Sequence, residues 1–125
     1  MNDLMFQDIM DILADILPQK WARAVYRADY TEGSYSMKYY VDLGDGEYTD
    51  CFKLGTPTKS QVLSAFRAMN EKIITYRQSL SDKEKWSVLT MTVDSSGKFK
   101  ADFDFTNISE IPVSYQTDWE NRYLH

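Results

Sequence analysis

Three consecutive stretches of this chain read as strands, the first two with a period of two, and the connections between them are only a few residues long. The first is "WARAVYRADY" (21–30), the second "YSMKYYVDL" (35–43) and the third "YTDCFKL" (48–54), joined by "TEGS" and "GDGE". A parallel pair needs a crossover of about a dozen residues or more, so three strands joined this tightly must be antiparallel neighbours. The glycine in each connection suits a tight turn. In the first stretch Ala22, Ala24, Tyr26, Ala28 and Tyr30 alternate with Trp21, Arg23, Val25, Arg27 and Asp29, and the pattern does not decide which side is the core.

Helical periodicity brackets this meander. Met5, Ile9, Ile12 and Ile16 recur at helical spacing, Phe6, Leu13 and Leu17 widen the stripe, and Pro18 stops it. The acids Asp3, Asp8, Asp11 and Asp15 fall mostly off that stripe, and the early ones suit the positive end of a helix dipole. After the third strand, Pro57 fits a first helical position and Thr58 with Gln61 reads as a capping box. Val62, Phe66, Met69, Ile73, Tyr76 and Leu80 then repeat at four, three, four, three and four, an unbroken stripe. Ser81 with Glu84 reads as the cap of a further short turn. Both helices are expected to pack on the sheet, the first rather than binding a partner and the second rather than forming a coiled coil.

A hairpin closes the regular part. "WSVLTMTVD" (86–94) turns through "SSGK" into "FKADFDF" (99–105). Phe99, Ala101, Phe103 and Phe105 take one face of the return strand. Lys98, Lys100, Asp102 and Asp104 take the other, where a half-buried strand puts its polar residues. The last twenty residues have no clean period and are expected to lie over the sheet edge or a helix, anchored by Trp119, Tyr123 and Leu124. The order α-β-β-β-α-β-β-tail is that of an α+β fold. A single domain is expected over residues 1–125, with an antiparallel sheet of about five strands and two main helices packed on one face. Phe66, Met69, Ile73, Phe99 and Phe103 are expected in its core.

Composition narrows the function. At 125 residues, 43% hydrophobic and 14% aromatic, the chain has material for one core and is too ordered in composition for a disordered tail. A net charge of -5 opposes binding to nucleic acid through phosphate contacts and favours a basic protein partner. The N-terminal stretch carries acids throughout and lacks the basic head of a signal peptide, and no apolar run is long enough to span a bilayer. The expectation is a cytoplasmic protein without a membrane partner.

Catalytic machinery is hard to assemble from these residues. The single histidine is His125, so neither a Ser-His nor a Cys-His pair around a fixed imidazole is available. Cys51, the one cysteine, excludes an internal disulfide and reads as a core or edge residue of the third strand. Asp102 and Asp104 have the D-x-D spacing of a metal pair, and Asp42, Asp45, Glu47 and Asp50 are further acids, but "DLGDG" lacks the alternating acids and closing glutamate of a calcium loop. Gly44 and Gly46 do not complete a nucleotide fingerprint. Asn107-Ile108-Ser109 matches a glycosylation sequon only by chance. The chain reads as a non-enzyme with no catalytic, cofactor-binding or metal residues and no cofactor.

Three segments in register carry a resemblance. "LPQKW" (17–21), "WSVLTMTVDSSGKFKADFDFTN" (86–107) and "DWENRYL" (118–124) resemble the YezG family of bacterial immunity proteins. The matching residues are Pro18 and Trp21; Trp86, Leu89, Thr90, Asp94, Gly97, Lys98 and Phe99; Phe103, Asp104 and Phe105; and Trp119, Tyr123 and Leu124. The order of elements agrees along nearly the whole chain. The resemblance implies a cytoplasmic antitoxin that binds the C-terminal domain of a secreted polymorphic toxin, as in contact-dependent growth inhibition. That toxin domain is expected to be a basic nuclease, RNase ahead of DNase, neutralised by occlusion of its active site or substrate cleft.

An acidic inhibitor of a basic nuclease should present acids beside exposed aromatics. The candidates are Asp45 and Glu47 in the second turn, Asp102 and Asp104 in the last hairpin, and Glu110, Asp118 and Glu120 in the tail. The alternatives are a metal-dependent enzyme built on Asp102 and Asp104, or a subunit of a bacterial complex unrelated to toxins. The toxin's identity and the oligomeric state are not legible in the sequence.

Overall fold

A computed structural model describes residues 3–31, 33–55, 57–107 and 112–124. In chain order it contains helix α1 (Asp3–Ile16), strands β1 (Arg23–Thr31), β2 (Ser34–Asp42) and β3 (Tyr48–Asp50), helix α2 (Lys59–Gln78), strands β4 (Val88–Asp94) and β5 (Phe99–Asp104), and helix α3 (Pro112–Tyr123). The expected α+β order is present, with a third helix in place of the irregular tail. The chain clusters into two compact units, Met1–Gln19 with Phe52–Lys85 and Lys20–Cys51 with Trp86–His125.

The first unit pairs α1 with α2. Met5, Phe6, Ile9, Leu13 and Ile16 of α1 are buried, as are Val62, Ala65, Phe66, Met69 and Ile73 of α2, so the apolar stripes turn inward, although Tyr76 is only half-buried and Leu80 lies past the end of α2 at Gln78. Asp8 and Lys72 face each other at 4.0 Å on the exposed side. The capping box is present: Thr58 Oγ1 accepts from the Gln61 amide at 3.2 Å, and Gln61 Oε1 accepts from the Thr58 amide at 2.8 Å. Because Thr58 is the N-cap, Pro57 stands one residue before the cap and not at the first helical position. Past the helix, Glu84 accepts from the Ser81 amide and hydroxyl at 3.2 and 2.8 Å, closing the short turn ahead of Trp86.

The second unit is a five-stranded antiparallel sheet in the order β3-β2-β1-β4-β5, with α3 on one of its faces. The third strand is shorter than expected. It stops at Asp50, and Cys51–Lys53 form a single 3-10 turn, so Cys51 sits in a buried turn and not in a strand. The central strand β1 is buried on both faces: Ala24, Tyr26 and Ala28 on one, Val25 and Arg27 on the other. That double burial explains why its alternation pointed to neither side. Leu89, Met91, Tyr39 and Val41 continue the apolar face of Tyr26 across the neighbouring strands. At the edge, Phe103 is half-buried against Trp86, with ring centroids 5.2 Å apart, whereas Phe99 is 40% exposed and is not a core residue. The last hairpin turn uses Gly97 at φ 92, in the left-handed region where a side chain would be strained.

Candidate functional site

The polar face of the sheet is not left to water. Register lines up Lys38, Arg27, Thr90 and Asp102 in one cross-strand row, and Asp29, Val88 and Asp104 in the next. Helix α3 lies over these rows and hydrogen-bonds into them. Tyr115, Trp119 and Tyr123 are four residues apart and share one helical face. The Tyr115 hydroxyl donates to Asp104 Oδ2 at 2.8 Å, Trp119 Nε1 donates to Thr90 Oγ1 at 2.9 Å, and the Tyr123 hydroxyl donates to Asp102 Oδ2 at 3.0 Å. Each ring covers the sheet while its polar tip finds a partner, as buried Tyr and Trp require.

Arg27 anchors the centre of this layer. It is 7% exposed and forms a two-pronged pair with Asp29, Nε to Oδ1 at 2.6 Å and Nη2 to Oδ2 at 2.8 Å. Its third nitrogen, Nη1, donates to Gln116 Oε1 on α3 at 2.7 Å. The rings of Tyr115 and Trp119 lie 5.1 and 4.9 Å from the guanidinium carbon, within cation–π range. A buried charge is tolerated only when paired and bonded in this way.

The two hairpin acids are therefore half-buried and engaged, not the freely solvated residues their strand position suggests. Burial pushes the Asp104 carboxyl up, but hydrogen bonds from the Thr106 side chain and backbone and from Tyr115 outweigh it and hold it below the usual carboxylate range. Burial, then the bond to Asp104, pushes the Tyr115 phenol well above its ordinary value, and burial, then the bond to Asp102, raises the Tyr123 phenol. Lys100 approaches Asp102 at 3.8 Å. Among the described residues, no group of three or more His, Cys, Asp or Glu side chains is placed to hold a metal ion. Burial raises the Cys51 thiol to about 11, which leaves little thiolate near neutrality.

Between α3 and the β5 edge runs a groove of about 530 Å³, walled by Asp102, Asp104, Asp118, Tyr115, Trp119 and Tyr123. Three of the seven candidate acids thus converge. Glu120 is exposed on α3 and accepts from Gln116 Nε2 at 3.1 Å, but it does not line the groove. Asp45 and Glu47 are exposed together between β2 and β3, where Asp45 Oδ1 accepts from the Glu47 amide at 3.0 Å. Glu110 lies outside the described residues.

Sequence reasoning missed α3 and, with it, Arg27, Tyr115 and Gln116. A signal was present: Pro112 stands at the first helical position, and an aromatic recurs every fourth residue at 115, 119 and 123. The stripe escaped notice because it is built from amphipathic rings on an otherwise polar segment.

The family model for immunity protein YezG-like matches residues 1–125, the whole chain. No curated protein matches it. No helix among the described residues is long and apolar enough to cross a membrane.

Proposed function

The chain belongs to the YezG-like immunity protein family, and from that premise we propose that it neutralises a cognate toxin nuclease by docking its α3–β5 groove on the toxin's substrate cleft. The convergence of Asp102, Asp104 and Asp118 beside three α3 aromatics carries the placement. A nuclease must hold a polyanion, so its cleft favours positive charge. An acidic groove competes for that cleft by complementary charge, which speeds encounter, while ring contacts slow release. The docking acids are preorganised, because Asp102 and Asp104 are held in place by Tyr123 and Tyr115. The role needs no catalysis by this chain, and the setting is the cytoplasm that the toxin enters.

The test pairs this protein with a candidate toxin domain, sought first among the products of the neighbouring genes. Expected are co-purification of the two chains, rescue of growth on co-expression, and loss of RNA or DNA hydrolysis on titration with this protein. A complex that hydrolyses RNA and DNA as fast as the free toxin domain sinks occlusion of the cleft. A toxin domain that attacks neither polymer sinks the nuclease assignment.

A further inference from the structure

The same sheet face has a second groove of opposite sign. It is about 390 Å³ in volume and lies where the β4–β5 turn meets the C-terminal end of α3. Arg23, Lys98, Lys100 and Arg122 bring four cations to its walls, with Tyr48 and Tyr123 as aromatic surface. Its only acid among the described residues, Asp94, is turned into the hairpin. Asp94 Oδ1 accepts from the Ser96 amide at 2.9 Å, the Ser96 hydroxyl at 2.5 Å and the Lys98 amide at 3.2 Å. On a protein of net charge -5 this is a local reversal of sign.

Register explains the reversal. Along β5 and the residue before it, the side chains on the α3 face run Lys98, Lys100, Asp102, Asp104, two cations followed by two acids. Arg23 pairs across from Asp94 on β4, which brings its charge to the Lys98 end of the face. Arg122 and Tyr123 line both grooves and form the wall between them. The face is therefore bipolar along one strand.

We propose that this cationic pocket is a carboxylate-binding subsite for the same protein partner, so that the partner sets an acidic side chain next to its basic surface. The inference rests on the toxin-binding reading above and specifies the partner's footprint. Nucleic acid is the poorer ligand. Its charges follow one another without a break, and a strand entering at Lys98 meets Asp102 two steps along β5 and Asp104 at the third. A folded protein surface, with charges of both signs interspersed, matches the change of sign.

The deciding experiment measures association of the toxin domain with wild type, with K98E/K100E, and with the milder K98Q/K100Q, at low and high salt. Lys98 and Lys100 are both exposed, and retention of the wild-type circular dichroism checks the fold. We expect K98E/K100E to slow association about tenfold at low salt, with K98Q/K100Q in between. Association that is unchanged or faster in K98E/K100E overturns the subsite while leaving acidic docking intact, because a uniformly basic cleft would welcome the added negative charge. A toxin domain that fails to bind wild type overturns both readings. A labelled single-stranded oligonucleotide that binds the free wild-type protein, and is lost in K98E/K100E, overturns the carboxylate assignment in favour of phosphate.

Discussion

The guanidinium carbon of Arg27 lies 4.9 Å from the ring centroid of Trp119, so the central strand and the last helix are joined by a stacked cation and ring. Trp119 is itself 3% exposed and bonded to Thr90 on the next strand. One buried charge therefore organises the layer that walls the candidate groove. A helix of this composition has little tendency to form alone, since its stability comes from the face it packs.

Removing the partner of that charge is the sharpest probe of the layer. Asp29→Ala leaves the buried guanidinium without its carboxylate and should cost about 3–5 kcal/mol of folding stability. Replacing both members together, Arg27→Met with Asp29→Leu, removes both charges while filling similar volume and should cost less. Urea unfolding of both variants reads the difference. An Asp29→Ala midpoint equal to wild type would mean that the ion pair does not hold the sheet and α3 together.

Core truncations separate residues that one apolar pattern groups together. Met69→Ala and Ile73→Ala, both fully buried on α2, should cost about 2–5 kcal/mol each. Phe99→Ala, at a 40% exposed position on the edge strand, should cost about 1 kcal/mol or less. Equal losses at Phe99 and Ile73 would show that the β5 edge is covered in solution.

Period-two and helical patterns made α1, α2 and the order of elements along the chain legible, because most of these elements bury one face and their sequence alternates to match. Three features were less legible, each for a physical reason. Strand β1 is buried on both sides, so Val25 and Arg27 carry no wet-face signature. The polar residues Asp102 and Asp104 read as solvent-facing because their partners, Tyr123 and Tyr115, come from a segment without an aliphatic stripe. Cys51 follows a strand-like run, yet the chain turns at Asp50 and buries the thiol in a 3-10 turn. Of the candidate acids, Asp102 and Asp104 were visible as a pair. That Asp118 joins them depends on α3, whose signal is a stripe of amphipathic rings at 115, 119 and 123 rather than an aliphatic one.

Alkaline pH should unfold the protein cooperatively. Burial raises the phenols of Tyr26, Tyr39, Tyr40, Tyr115 and Tyr123 above their ordinary value of 10.0, and the Cys51 thiol from 9.0 to about 11. A group whose pKa is higher in the folded state ionises first in the unfolded chain. Its contribution is whole below the unfolded pKa and is lost as pH rises through the folded one. The melting temperature should therefore hold to about pH 9 and fall steeply above about pH 10. Tyr115→Phe should blunt that fall, since one of the raised phenols is gone. On the acid side Asp104 works in the opposite sense: its lowered pKa stabilises above the unfolded value near 3.8, and the benefit disappears as pH drops below it. A melting temperature that stays flat through pH 11 would contradict the burial of these hydroxyls.

Charge reversal can locate the docking surface among the candidate acids. Asp118 lines the α3–β5 groove, is exposed, and makes none of the side-chain bonds that hold Asp102 and Asp104 to the helix tyrosines. Asp118→Lys should thus leave folding within about 0.5 kcal/mol of wild type. Its association with the toxin domain should be about tenfold slower at low salt, with a shallower salt dependence. Asp104→Ala is a poorer probe of docking, because losing the bonds from Thr106 and Tyr115 should itself cost about 1–3 kcal/mol of stability. Glu120→Lys tests the same helix outside the groove, and Asp45→Lys with Glu47→Lys tests the β2–β3 turn, which does not line the α3–β5 groove; both should associate nearly as fast as wild type. Stopped-flow association rates across the four proteins distinguish the surfaces. A slowing as large in Glu120→Lys as in Asp118→Lys would move the contact to the outer side of α3. A slowing confined to the Asp45 and Glu47 variant would move it to the β2–β3 turn, and the groove would then serve only to seat the helix.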